Sequence, residues 1–451
     1  MSWILSIMII FPYFIYLFVL VAPFLGFLSV AVFVFALILS DRDAFGVSSY
    51  LLTLNPAHYI YYVGLFLFLY FFSIYRFYKR RYLFDNKIKK IVFLANVICF
   101  YTFLGCLVKS ASVLNGLSTI LYNGVVVCAI WPLLYFNKKH DKYLISFVLV
   151  QMLLSMLVLF VPYFSFIDGF IYKQLEGAYV VDMDGLNYTI PDGAFDKGTV
   201  GKYGVFHNPN ALGFYSAAAM AFAYYGWTMG GRWKFISILL LCMGGVGWFN
   251  SLTRGPVLFL MLGFVFIYFI SCFASKNKIS LILFILGLVG LSVFILTYSN
   301  YLEYFFPSVG NASVDYRLSG YSDGFFAIES SPLFGIDRTQ PQWLDLDRPH
   351  FLSLYFASEY GVLVGIAISI LVFVGGFQCV LRACKLVIRN PNNRSMRNKN
   401  FFAILLISLC FGIAVSDNVT SPMLFWFCFM EAQMLVFQQP KFVKSFQNRM
   451  G

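Results

Sequence analysis

The chain has 451 residues, of which 60% are hydrophobic and only 12% are charged, whereas soluble domains carry about 25% charged residues. A core surrounded by water cannot absorb this much apolar surface, so the composition excludes a soluble globular protein and predicts one that spans a lipid bilayer. The formal net charge is +12, but the basic residues lie in short loops between apolar runs and form no stripe, which argues against a nucleic-acid partner.

Apolar runs long enough to cross a bilayer as helices recur along the whole chain. The first 40 residues contain one long span, two short spans, or one span and a re-entrant segment, and the apolar stretch 3–39 is too long for a cleavable signal peptide. The sequence therefore predicts an all-α polytopic membrane protein of 12 or 13 transmembrane helices, with residues 1–451 in one integral membrane domain. The later apolar runs lie near residues 57–75, 91–108, 116–136, 144–166, 210–228, 235–250, 256–273, 280–298, 353–381, 401–416 and 421–438.

The distribution of charge predicts how these spans are oriented. Of the 32 lysine and arginine residues, 23 lie in alternate loops and in the C-terminal tail: 76–90, 137–143, 229–234, 274–279, 382–400 and the residues from 439. Loops rich in lysine and arginine stay on the cytoplasmic side of a membrane, so these loops and the C-terminus are predicted to be cytoplasmic.

Two loops on the opposite, outward side are long. The first covers residues 167–209 and the second covers residues 299–352, and both are rich in Gly, Asp, Tyr and Pro. Loops longer than a connection requires commonly bind or catalyse, so we expect the function on this outward face.

Two arginines on the outward side are candidate anion-binding residues. Arg254 lies at the outer end of a short hairpin between two apolar runs, where an arginine is costly unless it reaches the interface or binds something. Its planar guanidinium group suits a phosphate or pyrophosphate, and the alternative is an interfacial anchor. Arg317, in the second long loop, is either a second anion ligand or a solvated residue paired with Asp315 or Asp323.

A histidine and a carboxylate stand at the end of the second long loop. His350 precedes the apolar run that begins near 353, and an imidazole close to a carboxylate can act as a general base for a hydroxyl group. The alternative is a packed or solvated histidine. Glu359 is predicted to lie inside the outer part of that span, where it either functions or pairs with a nearby arginine. Glu431, in the last span, is predicted to face the interior of the helical bundle.

The first long loop leads into a span through residues 204–213. Asn208 or Asn210 can cap the helix and Pro209 suits its first turn, so a structural role is the favoured interpretation of this pair of asparagines. Lys202 precedes this segment and can meet an anionic group. No grouping of Cys and His has the spacing of metal ligands, and neither a metal nor another cofactor is predicted.

Taken in order, these segments resemble the O-antigen ligase and O-antigen polymerase family of bacterial envelope enzymes. Residues 204–210, Gly-Val-Phe-His-Asn-Pro-Asn, are similar to the family's Gly-x-Phe-x-Asn-Pro-Asn segment, and Thr253-Arg254-Gly255 is similar to its Ser-Arg-Gly hairpin. The family's large periplasmic loop carries an arginine, a Pro-Leu-x-Gly turn and a His-Asn-x-x-Leu segment that ends in Glu-x-Gly. The matching residues here are Arg317, Pro332, Leu333, Gly335, His350, Leu354, Glu359 and Gly361.

The resemblance covers residues 200–365, and it includes departures. The family often has an arginine three residues before the first segment, where this chain has Gly201 followed by Lys202. Phe351 replaces the asparagine after the histidine, and Asp337 stands where a second glycine is common.

The resemblance implies a glycosyl transfer at the periplasmic face of the bacterial inner membrane. It implies that Arg254, with Arg317 and Lys202, holds the pyrophosphate of an undecaprenyl-linked oligosaccharide, and that His350 activates the acceptor hydroxyl. The favoured activity is an O-antigen polymerase; the alternatives are an O-antigen ligase that transfers the glycan to lipid A-core and, from another class, a lipid-linked oligosaccharide transporter. Implied partners are the lipid-linked oligosaccharide, membrane lipid and a chain-length regulator protein.

Overall fold

The computed structural model of the protein describes these segments of the chain: 70–110 without 72, 80, 81 and 83, then 124–135, 209–251, 255–274, 311–337, 346–416 and 422–437. It also describes single positions at 145, 148, 149, 152, 153, 155, 156, 282 and 343, and the two short strands given below. Regular structure in these segments is helical, apart from one antiparallel pairing of two-residue strands, β1 (Asp182–Met183) and β2 (Leu186–Asn187). The predicted all-α fold is therefore confirmed for the described residues. The predicted elements in residues 1–69 and the full number of spans lie outside them.

The helices of the described segments are numbered in chain order. They are α1 (Asn86–Ser110), α2 (Val127–Tyr135), α3 (Pro209–Met229), α4 (Trp233–Ser251), α5 (Gly255–Ala274), α6 (Asn311–Ser330), α7 (Leu352–Tyr360), α8 (Val362–Ser369), the π-helical turn Ile370–Val374, α9 (Gly375–Arg389), α10 (Arg394–Ser416) and α11 (Pro422–Phe437).

Within the described segments, five helices are long and apolar enough to cross a membrane: Asn86–Lys109, Trp233–Ser251, Gly255–Ala274, Val362–Arg389 and Arg394–Val415. A bilayer contains no water to satisfy the backbone, so an apolar stretch of this length is stable there only with all its hydrogen bonds made internally, as in a helix. Their large exposed side chains, such as Phe93, Phe100 and Phe249, suit contact with lipid.

Helix α10 forms the centre of this bundle. Its apolar stretch is 72% buried by other parts of the protein, against 33% for α4 and for α5. Phe402 of α10 stacks on Tyr225 of α3 with the ring centroids 4.3 Å apart. Small residues bring the backbones together, because a Cβ atom at Gly263 of α5 would lie 2.9 Å from the hydroxyl oxygen of Ser408.

The prediction that Glu431 faces the bundle interior is confirmed. Its side chain is fully buried, and its Oε2 accepts a hydrogen bond of 2.9 Å from the indole Nε1 of the equally buried Trp131. Two residues further along α11, Gln433 donates to the carbonyl oxygen of Gly375, which directly follows the π-helical turn. These polar contacts hold α11 against α2 and α9 inside a largely apolar interior.

Replacing Glu431 with alanine is expected to lower the free energy of unfolding by about 1–3 kcal/mol, because it leaves the buried indole N–H of Trp131 without an acceptor. Glu431→Gln retains a carbonyl oxygen and should be less destabilising. Thermal unfolding of the detergent-purified protein measures both effects, with the exposed Glu329→Ala as the control. Equal melting temperatures for Glu431→Ala and the parent protein would show that this hydrogen bond does not stabilise the bundle.

The structure corrects the predicted span near 353–381. The membrane-length helix begins only at Val362, and the residues before it form the separate short helix α7. The break falls at Gly361, whose φ of 99° is in the left-handed region that side chains disfavour. Glu359 therefore lies on α7, before the spanning helix and not within it.

The second long loop also contains a helix that the hydropathy pattern did not predict. This is α6, and its buried face is made of the small residues Gly320, Gly324 and Ala327. Large side chains on the same helix, such as Leu318 and Phe325, are exposed. An amphipathic helix is recognised in a sequence by large apolar residues on its buried face. In α6 the small residues are buried and large apolar residues are exposed.

Candidate functional site

Two segments that resemble the family motifs meet in space. The turn at 332–335 follows α6, and its backbone pairs with the residues around the end of α7. Val362 N donates to Pro332 O at 2.9 Å, and Ile336 N donates to Ser358 O at 2.9 Å. These backbone hydrogen bonds hold the Pro-Leu-x-Gly turn against the Glu-x-Gly segment.

The glycines of the two motifs make this close contact possible. Gly335 has a φ of 72° and Gly361 has a φ of 99°, both in the region that glycine adopts without a steric penalty. A Cβ atom at Gly335 would lie 2.5 Å from the carbonyl oxygen of Glu359, and one at Gly361 would lie 2.5 Å from the carbonyl carbon of Leu333. Each glycine therefore leaves space for the backbone of the other motif.

Helix α6 positions the residues that precede His350. A Cβ atom at Gly320 would lie 2.8 Å from the carbonyl oxygen of Arg348, and one at Gly324 would lie 3.1 Å from the ring of Pro349. Asp323, on the same helix, accepts a hydrogen bond of 2.8 Å from the backbone N–H of Asp347. The segment that carries His350 is thus packed on the small-residue face of α6.

His350 is half-buried at the start of α7. It immediately precedes Phe351, which occupies the N-cap position of that helix in an extended conformation and makes no side-chain capping hydrogen bond. Phe351 instead stacks on Phe373 with ring centroids 5.7 Å apart and an interplanar angle of 14°. This aromatic contact joins the start of α7 to the π-helical turn.

Glu359 has an arginine partner, which is one of the two alternatives expected from the sequence. Its Oε1 lies 3.9 Å from Nε of Arg348, with the side chains 12% and 55% exposed. A long ion pair with one exposed member contributes about 0–1 kcal/mol, so it orients the two groups more than it stabilises the fold. The sequence-based interpretation did not single out Arg348.

Two residues of α1 contact the site and were also missed from the sequence. The hydroxyl group of Tyr101 donates to Leu333 O at 2.8 Å, and its ring stacks on Phe334 with centroids 5.7 Å apart. The ammonium group of Lys109 donates to Ile336 O at 3.1 Å and to Glu359 O at 2.5 Å. The only sequence signal was that Lys109 is one of the few basic residues outside the predicted cytoplasmic loops.

No protein-family model matches this chain, and no curated protein matches it.

The site must therefore be interpreted from its own groups. An imidazole, a guanidinium group and a carboxylate come from the short segment between Arg348 and Glu359. Such a set can remove a proton from a hydroxyl group and can bind an anion next to it. The described segments contain no group of three or more His, Cys, Asp or Glu residues that could hold a metal ion.

The structure describes only some of the other predicted site residues. Lys202, Asn208 and Arg254 lie outside the described residues. Arg317 lies on the first half of α6, and the structure describes its backbone but not its side chain. Asn210 is half-buried in the first turn of α3, which begins at Pro209.

Proposed function

We propose that the protein is a polymerase of O-antigen or of a related surface polysaccharide. It joins undecaprenyl-pyrophosphate-linked repeat units by glycosyl transfer at the periplasmic face of the bacterial inner membrane. The observation that supports this most directly is the docking of the 332–335 turn against the end of α7. The two segments resemble one family's motifs, and each has its glycine where the other backbone would collide with a Cβ atom.

The proposed chemistry assigns a role to each polar group. His350 takes the proton from the acceptor hydroxyl, whose oxygen then forms a bond to the anomeric carbon of the donor sugar. The bond between that carbon and the phosphate oxygen breaks, and undecaprenyl pyrophosphate leaves with the electron pair. Arg254, together with Arg317 and Lys202, stabilises the negative charge on this leaving group. The reaction requires no metal in this scheme.

A ligase would need the same base and the same pyrophosphate ligands, so the acceptor is what distinguishes the two enzymes. The polymerase is favoured because the departures at Lys202 and Phe351 fit a divergent member of the family. Polymerases differ from one another with the sugars that they join. The chain-length regulator protein remains a proposed partner of this activity.

A gel profile of envelope lipopolysaccharide tests the proposal, using a strain that lacks the protein and the same strain with the gene restored. A polymerase predicts a lipid A-core that carries one repeat unit, because ligation still works. Bare core, with long glycan accumulating on undecaprenyl pyrophosphate, would show a ligase instead. An unchanged ladder would contradict both the polymerase and the ligase hypotheses for lipopolysaccharide.

A further inference from the structure

The last carbonyl groups of α7 need hydrogen-bond donors, because the final turn of a helix has no internal partners for them. Ala357 O accepts from the N–H of Gly361, and Ser358 O accepts from the N–H of Ile336. The next carbonyl, that of Glu359, accepts from the ammonium group of Lys109. The end of α7 is thus completed in part by a side chain from another helix, 250 residues away in the sequence.

Carbonyl groups of the 332–337 segment also accept hydrogen bonds from the start of α8 and from α1. Pro332 O accepts from Val362 N, Leu333 O accepts from the hydroxyl group of Tyr101, and Ile336 O accepts from Lys109. Lys109 is therefore shared between the two segments: one of its hydrogen bonds reaches the turn and the other reaches α7.

The residues of α1 that contact the turn form a regular stripe. Tyr101, Gly105 and Lys109 are spaced four residues apart, so they lie along one face of the helix. The ring of Phe334 lies over Gly105, where even a Cβ atom would be in contact with it at 3.5 Å. This stripe supports the turn along its length, and it lies outside residues 200–365, to which the family resemblance is confined.

We infer that Lys109 is a positioning residue of the candidate site. Its ammonium group ties the 332–337 segment to the end of α7 and so fixes the helix at whose start His350 lies. The ring of Tyr360 lies 5.5 Å from the same nitrogen, so a cation–π contact adds to the two hydrogen bonds. The part of this inference that concerns catalysis rests on the proposed function, but the part that concerns geometry does not.

Two variants and a matched control test this role. Lys109→Met keeps the length of the side chain and removes the donors, whereas Lys109→Arg keeps a cation that can reach both carbonyl groups. Lys90→Met makes the same change at an exposed position on the other end of α1. The geometry is measured by a cysteine pair, Pro332→Cys with Val362→Cys, since the backbones of these residues are hydrogen-bonded at 2.9 Å.

In purified protein, mild oxidation should give a high yield of the disulfide in the parent and in Lys90→Met. The yield should fall several-fold in Lys109→Met and recover partly in Lys109→Arg. The polymerisation rate should follow the same order, with a loss on the order of 10²-fold in kcat for Lys109→Met and little change in KM for the lipid-linked donor. A chain without the cysteine pair measures the background from the nine native cysteines.

Equal disulfide yields in Lys109→Met and the parent would overturn the inference, whatever the activity. A reduced yield with an unchanged polymerisation rate would also overturn it, because the fixed geometry would then have no role in the reaction. A reduced yield in a protein that shows no polymerase activity in any variant would support the positioning role and contradict the proposed function.

Discussion

Replacing Gly361 with alanine is expected to abolish polymerisation and to destabilise the protein by about 3 kcal/mol or more, since left-handed strain and steric overlap act together. The φ of 99° disfavours any side chain, and the new Cβ atom would overlap the carbonyl oxygen of Leu333. That carbonyl group cannot move away cheaply, because it accepts a hydrogen bond from Tyr101. Thermal unfolding in detergent and the lipopolysaccharide ladder measure the two effects.

Gly245→Ala is the matched control for this substitution. Gly245 lies within α4 and has no atom within 4 Å of a Cβ atom built on it. Alanine favours a helix over glycine by up to about 1 kcal/mol, so this variant should melt at or slightly above the parent temperature. A parent-like melting temperature and a full ladder for Gly361→Ala would mean that the turn and the end of α7 are not docked in the working protein.

The membrane helices were the part of the fold that the sequence predicted well. The apolar runs near 235–250 and 256–273 fall within α4 and α5, and the run near 401–416 falls within α10. Each is an uninterrupted stretch, and a bilayer stabilises such a stretch as a helix whatever its neighbours are. Hydropathy is therefore sufficient to find these elements.

The break at Gly361 and the helix α6 could not be predicted by the same method. The run near 353–381 carries one charged residue, Glu359, and is otherwise mostly apolar, so hydropathy gives it as one span, whereas the contact of Gly361 with Leu333 explains the break. Helix α6 buries Gly320 and Gly324, which contribute almost nothing to hydropathy. In both cases the conformation is determined by packing between segments that are distant in the sequence.

The site was predicted as an ordered set of motifs but not as a contact. The segments that hold Gly335, His350 and Glu359 were named from the sequence, and the structure adds that the first of them docks on the last. Tyr101 and Lys109 could not be found in this way, because Lys109 and Ile336 are 227 residues apart and belong to no common motif. A lysine at the end of an apolar run is ordinarily interpreted as an interfacial anchor.

His350→Ala is expected to lower the polymerisation rate by about 10²–10⁴-fold, the usual contribution of a general base. The loss should appear in kcat, while KM for the lipid-linked donor stays close to the parent value, because the proposed chemistry has the histidine act on the acceptor. His350 is half-buried ahead of α7, so its removal should leave the melting temperature nearly unchanged. A single-turnover assay with purified protein and a synthetic lipid-linked repeat unit measures the rate.

Arg254→Ala should give a different kinetic pattern from His350→Ala. If its guanidinium group binds the pyrophosphate, the variant should raise KM for the lipid-linked donor and also lower kcat, because the same charge is present in the ground state and grows in the transition state. His140→Ala, in a predicted cytoplasmic loop, is the control for both variants and should retain parent activity. Full activity in both His350→Ala and Arg254→Ala would show that the reaction takes place elsewhere on the protein, since two independent groups of one glycosyl-transfer site cannot both be dispensable.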